Sequence, residues 1–276
     1  MKSFKIAQCQ IEPSFDVDDS VQHAIDMVRR AAENGAQVVT LPEIFYFPYD
    51  LTKIKKIVGK ENEYLNLLAE EAKKSNVFLS TGSMAVARGG FLFNMSHLIG
   101  PDGTILGEYS KCHLYDANIN GIDISESAVF TAGNSISIIK TELCVFGIMI
   151  CYDIRFPELA RLYALAGVEL LFVPSVFNTV TGAAHWHTMM KARAIENQIF
   201  IAATSQARNP VSHYAAYGHS LVVSPWGDVV CEAQESEQII YYTVSPEIMQ
   251  KSRARLPLLS HRRNDLYNLT YKGEVL

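Results

Sequence analysis

Hydrophobic residues in this chain follow two rhythms. Short, almost wholly apolar runs alternate with stretches whose apolar positions recur every three or four residues, the signature of buried strands alternating with amphipathic helices. Phe4–Gln10 predicts a first strand. A helix follows, with Asp18, Asp19 and Ser20 as N-cap candidates, Val21, Ala24, Ile25, Val28 and Ala31 on its apolar face, and Asn34-Gly35 at its end. Residues 37–41 predict a second strand ending at Pro42-Glu43, and residues 61–75 a helix with Tyr64, Leu65, Leu68 and Ala72 inward. Residues 77–82 predict a third strand, and 91–99 with 104–109 a hairpin turned by Pro101-Asp102-Gly103. From 111 to 134 the pattern dissolves into a polar loop too long for a mere connection, hence a functional lid or a disordered segment.

The second half repeats the first. Residues 136–139 and 145–150 predict a hairpin, 157–166 a helix opened by Pro157 and stopped by Gly167, and 170–173 the next buried strand. A helix over 184–197, a strand over 199–204, a hairpin of 219–223 with 229–232 around Pro225-Trp226-Gly227-Asp228, and a strand over 238–244 complete it. Two halves that each cover one sheet face with helices stack sheet on sheet, giving an α/β fold: a four-layer α-β-β-α sandwich with internal pseudo-two-fold symmetry. The whole chain, 1–276, is expected to form one domain, with about 245–276, rich in Arg253, Arg255, Arg262 and Arg263, as a C-terminal arm able to reach a second subunit.

Composition narrows the function classes. A net charge of −5 with scattered Lys and Arg argues against nucleic acid or an anionic membrane as partner, and no apolar run approaches the ~18 residues of a membrane span. The five cysteines are odd in number and unpaired by any CxxC spacing, which predicts a reduced, cytoplasmic protein without a zinc ribbon. His113, His185, His187 and His219 lack the spacing of a helical metal pair, so they are expected to be structural, with no metal or cofactor.

Three polar residues stand where apolar elements meet loops: Glu43, Lys111 and Cys151. Cys151 follows the run 145–150 and precedes the helix at Pro157, at the carboxyl end of a strand, where α/β sheets bind ligands. A helix N-terminus and a nearby cation would favour its thiolate. Together the three form a plausible machine. A cysteine attacks acyl carbon, a carboxylate of raised pKa takes its proton, and a lysine with the Tyr152 N–H stabilises the oxyanion.

Leu41-Pro42-Glu43, Tyr109-Ser110-Lys111-Cys112-His113-Leu114 and Ile150-Cys151-Tyr152-Asp153-Ile154-Arg155-Phe156-Pro157-Glu158 resemble, in order and spacing, the three signature blocks of the nitrilase superfamily of carbon–nitrogen hydrolases. The later block from His185-Trp186 to Glu196-Asn197 and the hairpin Ser224 to Asp228 extend the likeness over nearly the whole chain. The resemblance implies a cofactor-independent amidase with Glu43 as base, Lys111 as oxyanion stabiliser, Cys151 as nucleophile, Glu126 as a second glutamate that positions Lys111 or substrate, and a homodimer. Pro48-Tyr49, Phe177 to Gly182, Tyr217 to Ser220 and the tail Leu256 to Tyr267 are similar to the ω-amidase branch, which releases ammonia from 2-oxo acid ω-amides through a Cys thioester. A small amide substrate with a free carboxylate asks for hydroxyls and a cation, for which Tyr49, Thr179, Thr181 and Arg155 are candidates, with Phe177 a further candidate for substrate binding. Arg155 has a competing structural reading, as the ion-pair partner of a carboxylate near the cysteine. Ser110 and His187 depart from the family pattern, where a basic residue and a glutamate are common. The alternatives are an N-carbamoyl amidase, acting on a carbamoylputrescine or carbamoyl amino acid, and an idle nitrilase-like scaffold.

Overall fold

The first strand sets the layering of the whole molecule. In the computed structural model, which describes every residue except Lys56, Asn120, Gly121, Pro210, Val211, His213 and Leu276, β1 (Phe4–Gln10) is buried along nearly its full length. Successive side chains of a strand point to opposite faces. Phe4 and Ile6 accordingly enter one core, with residues from the second half of the chain, while Ala7 and Cys9 enter another, beneath the first helix. That helix, α1 (Val17–Glu33), buries the five apolar positions expected of it. Its N-cap is Asp16, whose carboxylate accepts the Asp19 N–H, slightly ahead of the residues the sequence suggested.

β2 (Val38–Thr40) leads to a single turn, α2 (Leu51–Ile54), which the sequence pattern did not reveal, then to α3 (Glu61–Ser75) and β3 (Phe78–Ser80). β4 (Met84–Arg88), also unforeseen, turns at Gly89-Gly90 into β5 (Phe91–Ile99), and β6 (Ile105–Ser110) returns across Pro101–Gly103. The long polar segment then departs from expectation. It folds into a small hairpin, β7 (Asp116–Ile119) with β8 (Ile122–Ser125), and a 3₁₀ turn at Glu126–Ala128; Asn120 and Gly121 lie outside the described residues.

In the second half, β9 (Ile138–Lys140), β10 (Val145–Ile148), α4 (Pro157–Leu165), β11 (Leu170–Ser175), α5 (Thr179–Asn197), β12 (Phe200–Ser205), β13 (Leu221–Val223) and β14 (Val229–Glu232) follow in order. α5 starts at Thr179 instead of residue 184, because Asn178 caps it through the Thr181 N–H at 2.8 Å. The cap and tertiary packing override the weak helix propensity of Thr-Val-Thr-Gly. β15 (Gln238–Val244), α6 (Pro246–Arg255) and a terminal hairpin of β16 (Thr270–Tyr271) and β17 (Glu274–Val275) end the chain.

The strands form two principal sheets. In one, β1, β2 and β3 run parallel and antiparallel β5, β4 and β6 extend it; in the other, β10, β11 and β12 run parallel between antiparallel neighbours. The sheets face one another through Phe4, Phe78 and Phe146, with ring centroids 6.0 Å and 6.3 Å apart, and through Gln8, whose amide donates to Thr204 Oγ1 at 3.1 Å. Two departures from the sequence reading stand out. β15 does not close the second half but pairs antiparallel with β1 in the first sheet, from Phe4 opposite Val244 to Gln10 opposite Gln238. Residues 246–255 are a docked helix and no free arm: Met249 and Ser252 are buried, and the Gln198 amide donates to the carbonyls of Ser252 and Leu256. Among the described residues no helix is long and apolar enough to cross a membrane.

One glycine fixes the exit of β2. Gly82 has φ +67°, and a Cβ there would lie 2.0 Å from the Pro42 carbonyl oxygen. Gly82→Ala is therefore expected to destabilise the fold by about 2–4 kcal/mol, through both the clash and the left-handed backbone. A urea titration checks this, and an unchanged midpoint would show that the β2 exit yields freely.

Candidate active site

Cys151 sits just beyond β10, on a backbone bent into an unusual shape. Met149 N–H still pairs with the Phe172 carbonyl, but Cys151 itself has φ +49°, a left-handed conformation that costs a non-glycine residue of order 1–3 kcal/mol. A single 3₁₀ turn, Cys151–Arg155, intervenes before α4. Its first internal bond runs from the Asp153 N–H to the Ile150 carbonyl, so the Tyr152 N–H precedes it.

Asp153, wholly buried, holds that turn in place. Its carboxylate accepts the Ile150 N–H at 3.0 Å, the Tyr109 hydroxyl at 2.8 Å, and the His113 N–H at 2.8 Å, with His113 Nδ1 also at 2.8 Å. Tyr109 and His113 flank Lys111, so one carboxylate fastens the cysteine turn to the lysine segment. From the other side Arg193 of α5 donates to the carbonyls of Ile154 and Arg155 at 2.8 Å and 3.1 Å.

Lys111 is completely enclosed between two enclosed carboxylates. Its Nζ donates to Glu43 Oε1 at 2.9 Å and to Glu126 Oε1 at 2.8 Å. Glu43 further accepts the Asn94 amide at 2.9 Å and the Val176 N–H at 3.0 Å, and its charge acts on the neighbouring Cys151 thiol. The loop bearing Glu43 is tied to the opposite sheet by Gln206, whose amide donates to the carbonyls of Glu43, Ile44 and Phe47. Glu126 accepts the Tyr49 hydroxyl and, at 2.7 Å, the Tyr115 N–H.

Charge and burial act together on these groups. Burial pushes the Glu43 carboxyl above its ordinary range, with Lys111 opposing and Glu126 reinforcing the rise. For Lys111 burial works against the ammonium, but Glu126, Glu43 and the cysteine outweigh it and hold its pKa well above normal. Burial, then the Glu43 carboxylate, drive the Cys151 thiol well above the usual cysteine value despite Lys111 beside it.

A narrow cleft opens onto the sulfur, lined by Tyr115, Tyr152, Arg155, Phe177, Thr181 and Tyr214 with Cys151 and Val176. Its free space of about 10 Å³ suits roughly one water molecule. An amide enters only if these side chains part. A roomier groove of about 330 Å³ lies between Arg161, Glu196, Arg262 and Tyr267, and no cysteine, serine, threonine or lysine lines it among the described residues. Arg155 crosses the cleft with its guanidinium 4.8 Å from the Phe177 ring centre and 5.7 Å from that of Tyr152, and contacts His185 Nδ1 at 3.1 Å.

A family model described as carbon–nitrogen hydrolase matches residues 5–254. The chain belongs to the carbon–nitrogen hydrolases. It is 40% identical over 271 residues to the omega-amidase NIT2 of Danio rerio, covering 98% of each chain. It is 39% identical over 274 residues to the omega-amidase NIT2 of Homo sapiens, covering 99% of each. Among solved structures, Saccharomyces cerevisiae Nit3, a member of branch 10 of the nitrilase superfamily, superposes with a TM-score of 0.86 at 34% identity, over 95% of this chain and 97% of that one. The C. elegans NitFhit protein superposes with a TM-score of 0.90 at 35% identity, over 98% of this chain and 67% of that one. The sandwich and the nitrilase likeness expected from the sequence hold, and the chain is a hydrolase of C–N bonds.

Within this carbon–nitrogen hydrolase, Glu43, Lys111, Glu126 and Cys151 come together from four separate loops. Arg155, Phe177 and Thr181 line the cleft, although the Thr181 hydroxyl is spent on Asn178 at 3.0 Å. Tyr49 and Thr179 are not among the lining residues: Tyr49 is buried with its hydroxyl committed to Glu126, and Thr179 lies in the first turn of α5. Arg155 makes no ion pair among the described residues, contrary to the structural reading that paired it with a carboxylate. The thiolate expected at a helix N-terminus is also corrected, since α4 begins only at Pro157 while Glu43 and burial surround the sulfur. Sequence reasoning missed Asp153, Asn94, Arg193 and Gln206. A charged or amide side chain inside or beside an apolar block was the available signal for the first three.

The thiol is therefore expected to be protonated at rest. The ultraviolet thiolate absorbance of the wild type minus that of Cys151→Ala should stay flat through neutral pH and rise only in alkali. A difference already present near neutrality would contradict the electrostatics described above.

Proposed function

We propose that the chain hydrolyses the terminal amide of a small carboxylate-bearing amide, of the 2-oxo acid ω-amide type, through a thioester on Cys151. The observation that carries this reading is the charge pattern of the cleft. Arg155 is its one charged lining residue, and no carboxylate lines it among the described residues. A guanidinium free of ion pairs suits a carboxylate, which it grips through paired N–H groups. The same wall disfavours a carbamoylated polyamine, whose distal cation would meet Arg155. The names of the omega-amidase relatives point the same way.

The mechanism follows from the donors. Glu43, the carboxylate whose charge acts on the thiol, takes its proton as sulfur attacks the amide carbon. Lys111 has three N–H donors; two are engaged by Glu43 and Glu126, and the third with the Tyr152 N–H stabilises the oxyanion. The amide C–N bond breaks, protonated Glu43 returns the proton to nitrogen, and ammonia leaves. Glu43 then takes a proton from water, whose oxygen displaces sulfur as the acid, and the proton returns to the thiol. Tyr49 and Glu126 position Lys111 throughout.

Ammonia release from α-ketoglutaramate, succinamate, N-carbamoylputrescine and a neutral aliphatic amide tests the reading. Cys151→Ala should lose on the order of 10⁴-fold or more. Arg155→Ala should raise KM for the two carboxylate-bearing amides about 10- to 100-fold, the worth of a charge-assisted contact, and leave the neutral amide unaffected. Equal losses on both classes would remove Arg155 from recognition, and preference for the carbamoyl compound would overturn the substrate assignment.

The acid limb of the rate profile reports on Glu43. The base works only when ionised, and its raised pKa means ionisation is complete only above the ordinary carboxylate value of about 4.3. Activity should therefore fall as pH drops through a value displaced upward from there. A limb at or below the ordinary value would assign the base elsewhere.

A further inference from the structure

Away from the cleft, three side chains from three separate elements converge without any part in the reaction. His187 lies on α5, His219 just before β13 and Glu232 at the end of β14. His187 Nε2 is 2.8 Å from Glu232 Oε1, and His219 Nδ1 is 3.0 Å from the same oxygen. All three donor atoms lie within 4.8 Å of one another. We propose that they form a site for a divalent transition-metal ion of the zinc type, held by two imidazole nitrogens and one carboxylate oxygen.

The donor set selects the ion. Imidazole suits zinc and its neighbours, whereas calcium and magnesium demand oxygen ligands. Zinc binds nitrogen and oxygen at ~2.0–2.2 Å, so tetrahedral ligands stand ~3.3–3.4 Å apart. The present separations of 2.8 Å and 3.0 Å from the carboxylate oxygen would widen by a few tenths of an ångström, and the two imidazole nitrogens, within 4.8 Å of one another, would settle at the same spacing. Each neutral imidazole offers its lone pair by shifting its proton to the opposite ring nitrogen.

The ligands are also held ready. Trp186, fully buried beside His187, donates its indole N–H to the His219 carbonyl at 2.7 Å, which locks the two backbones together. His219 adopts φ +57°, rare for a residue with a side chain, and its ring stacks on Tyr217 with centroids 4.4 Å apart. Leu221 pairs with Glu232 across the β13–β14 ladder, fixing the carboxylate's position relative to His219. The side chains keep 36% (His187), 17% (His219) and 30% (Glu232) of their exposure, enough for an ion to enter and for water to fill a fourth position. An ion there would brace α5 against the β13–β14 hairpin. It would also reach the cleft wall indirectly, since the Tyr217 N–H donates to the Phe177 carbonyl at 2.7 Å.

Calorimetric titration of zinc chloride into the Cys151→Ala protein, which lacks the competing thiol, tests the site. One equivalent should bind, and His187→Gln or Glu232→Gln in that background should weaken binding more than tenfold. In the wild-type background the same two substitutions should leave metal-free ammonia release unchanged, and cobalt(II) should give tetrahedral visible bands without a sulfur charge-transfer band. Absence of binding would reduce the cluster to a glutamate accepting two imidazole hydrogen bonds. Binding unaltered in both variants, or a cobalt–sulfur band, would place the ion elsewhere and overturn the assignment.

Discussion

A buried ammonium between two buried carboxylates is the interaction on which the rest of the site depends. Lys111, Glu43 and Glu126 are all removed from solvent, and each would be strongly unfavourable there alone. Stripping one partner from such a cluster typically costs about 3–5 kcal/mol, because an uncompensated charge stays behind. The three loops that carry these residues therefore have one joint arrangement open to them. The elements before them supply it: Glu43 follows β2 by three residues, Lys111 follows β6 directly, and the 3₁₀ turn after β8 begins at Glu126.

The cysteine is positioned by a second buried anion. Asp153 binds the Ile150 N–H, Tyr109 and His113 at once, so the left-handed turn at Cys151 and the segment around Lys111 move as one body. Electrostatically the site is poised and not pre-ionised. Burial and the Glu43 carboxylate keep the sulfur protonated, and burial raises Glu43 itself toward the range in which it exchanges protons readily. Proton transfer to Glu43 thus accompanies bond formation, without a standing thiolate exposed to oxidation.

Much of this was legible in the order of residues. The alternation of apolar runs and helical faces located α1, α3 and α4, which each bury one face, and most strands of both sheets, which are short apolar runs buried on both faces. The three blocks around Glu43, Lys111 and Cys151 were visible as polar residues at the ends of apolar runs. What escaped had physical reasons. α2 is one turn long, too short for periodicity to register, and β4 is five residues lying directly between Gly82-Ser83 and the Gly89-Gly90 turn. The start of α5 depends on an asparagine cap outweighing weak propensities. Tyr49 was read as a substrate contact because a carboxylate calls for hydroxyl groups, and only tertiary packing turned it toward Glu126. Glu232 did not suggest itself as a partner for the histidines, since 45 residues separate it from His187.

The pairing of β15 with β1 bears on the order in which the molecule can be made. β1 leaves the ribosome well before residues 238–244, its neighbour on one side. Until that segment emerges, β1 presents an unpaired edge, and its Phe4 and Ile6 lack much of the opposing sheet. Exposed edges and apolar faces invite association with other chains, and contacts this distant in sequence close slowly. The early half thus has to wait, unfinished, for the late half, and the growing polypeptide is most in need of chaperone protection over nearly its full length.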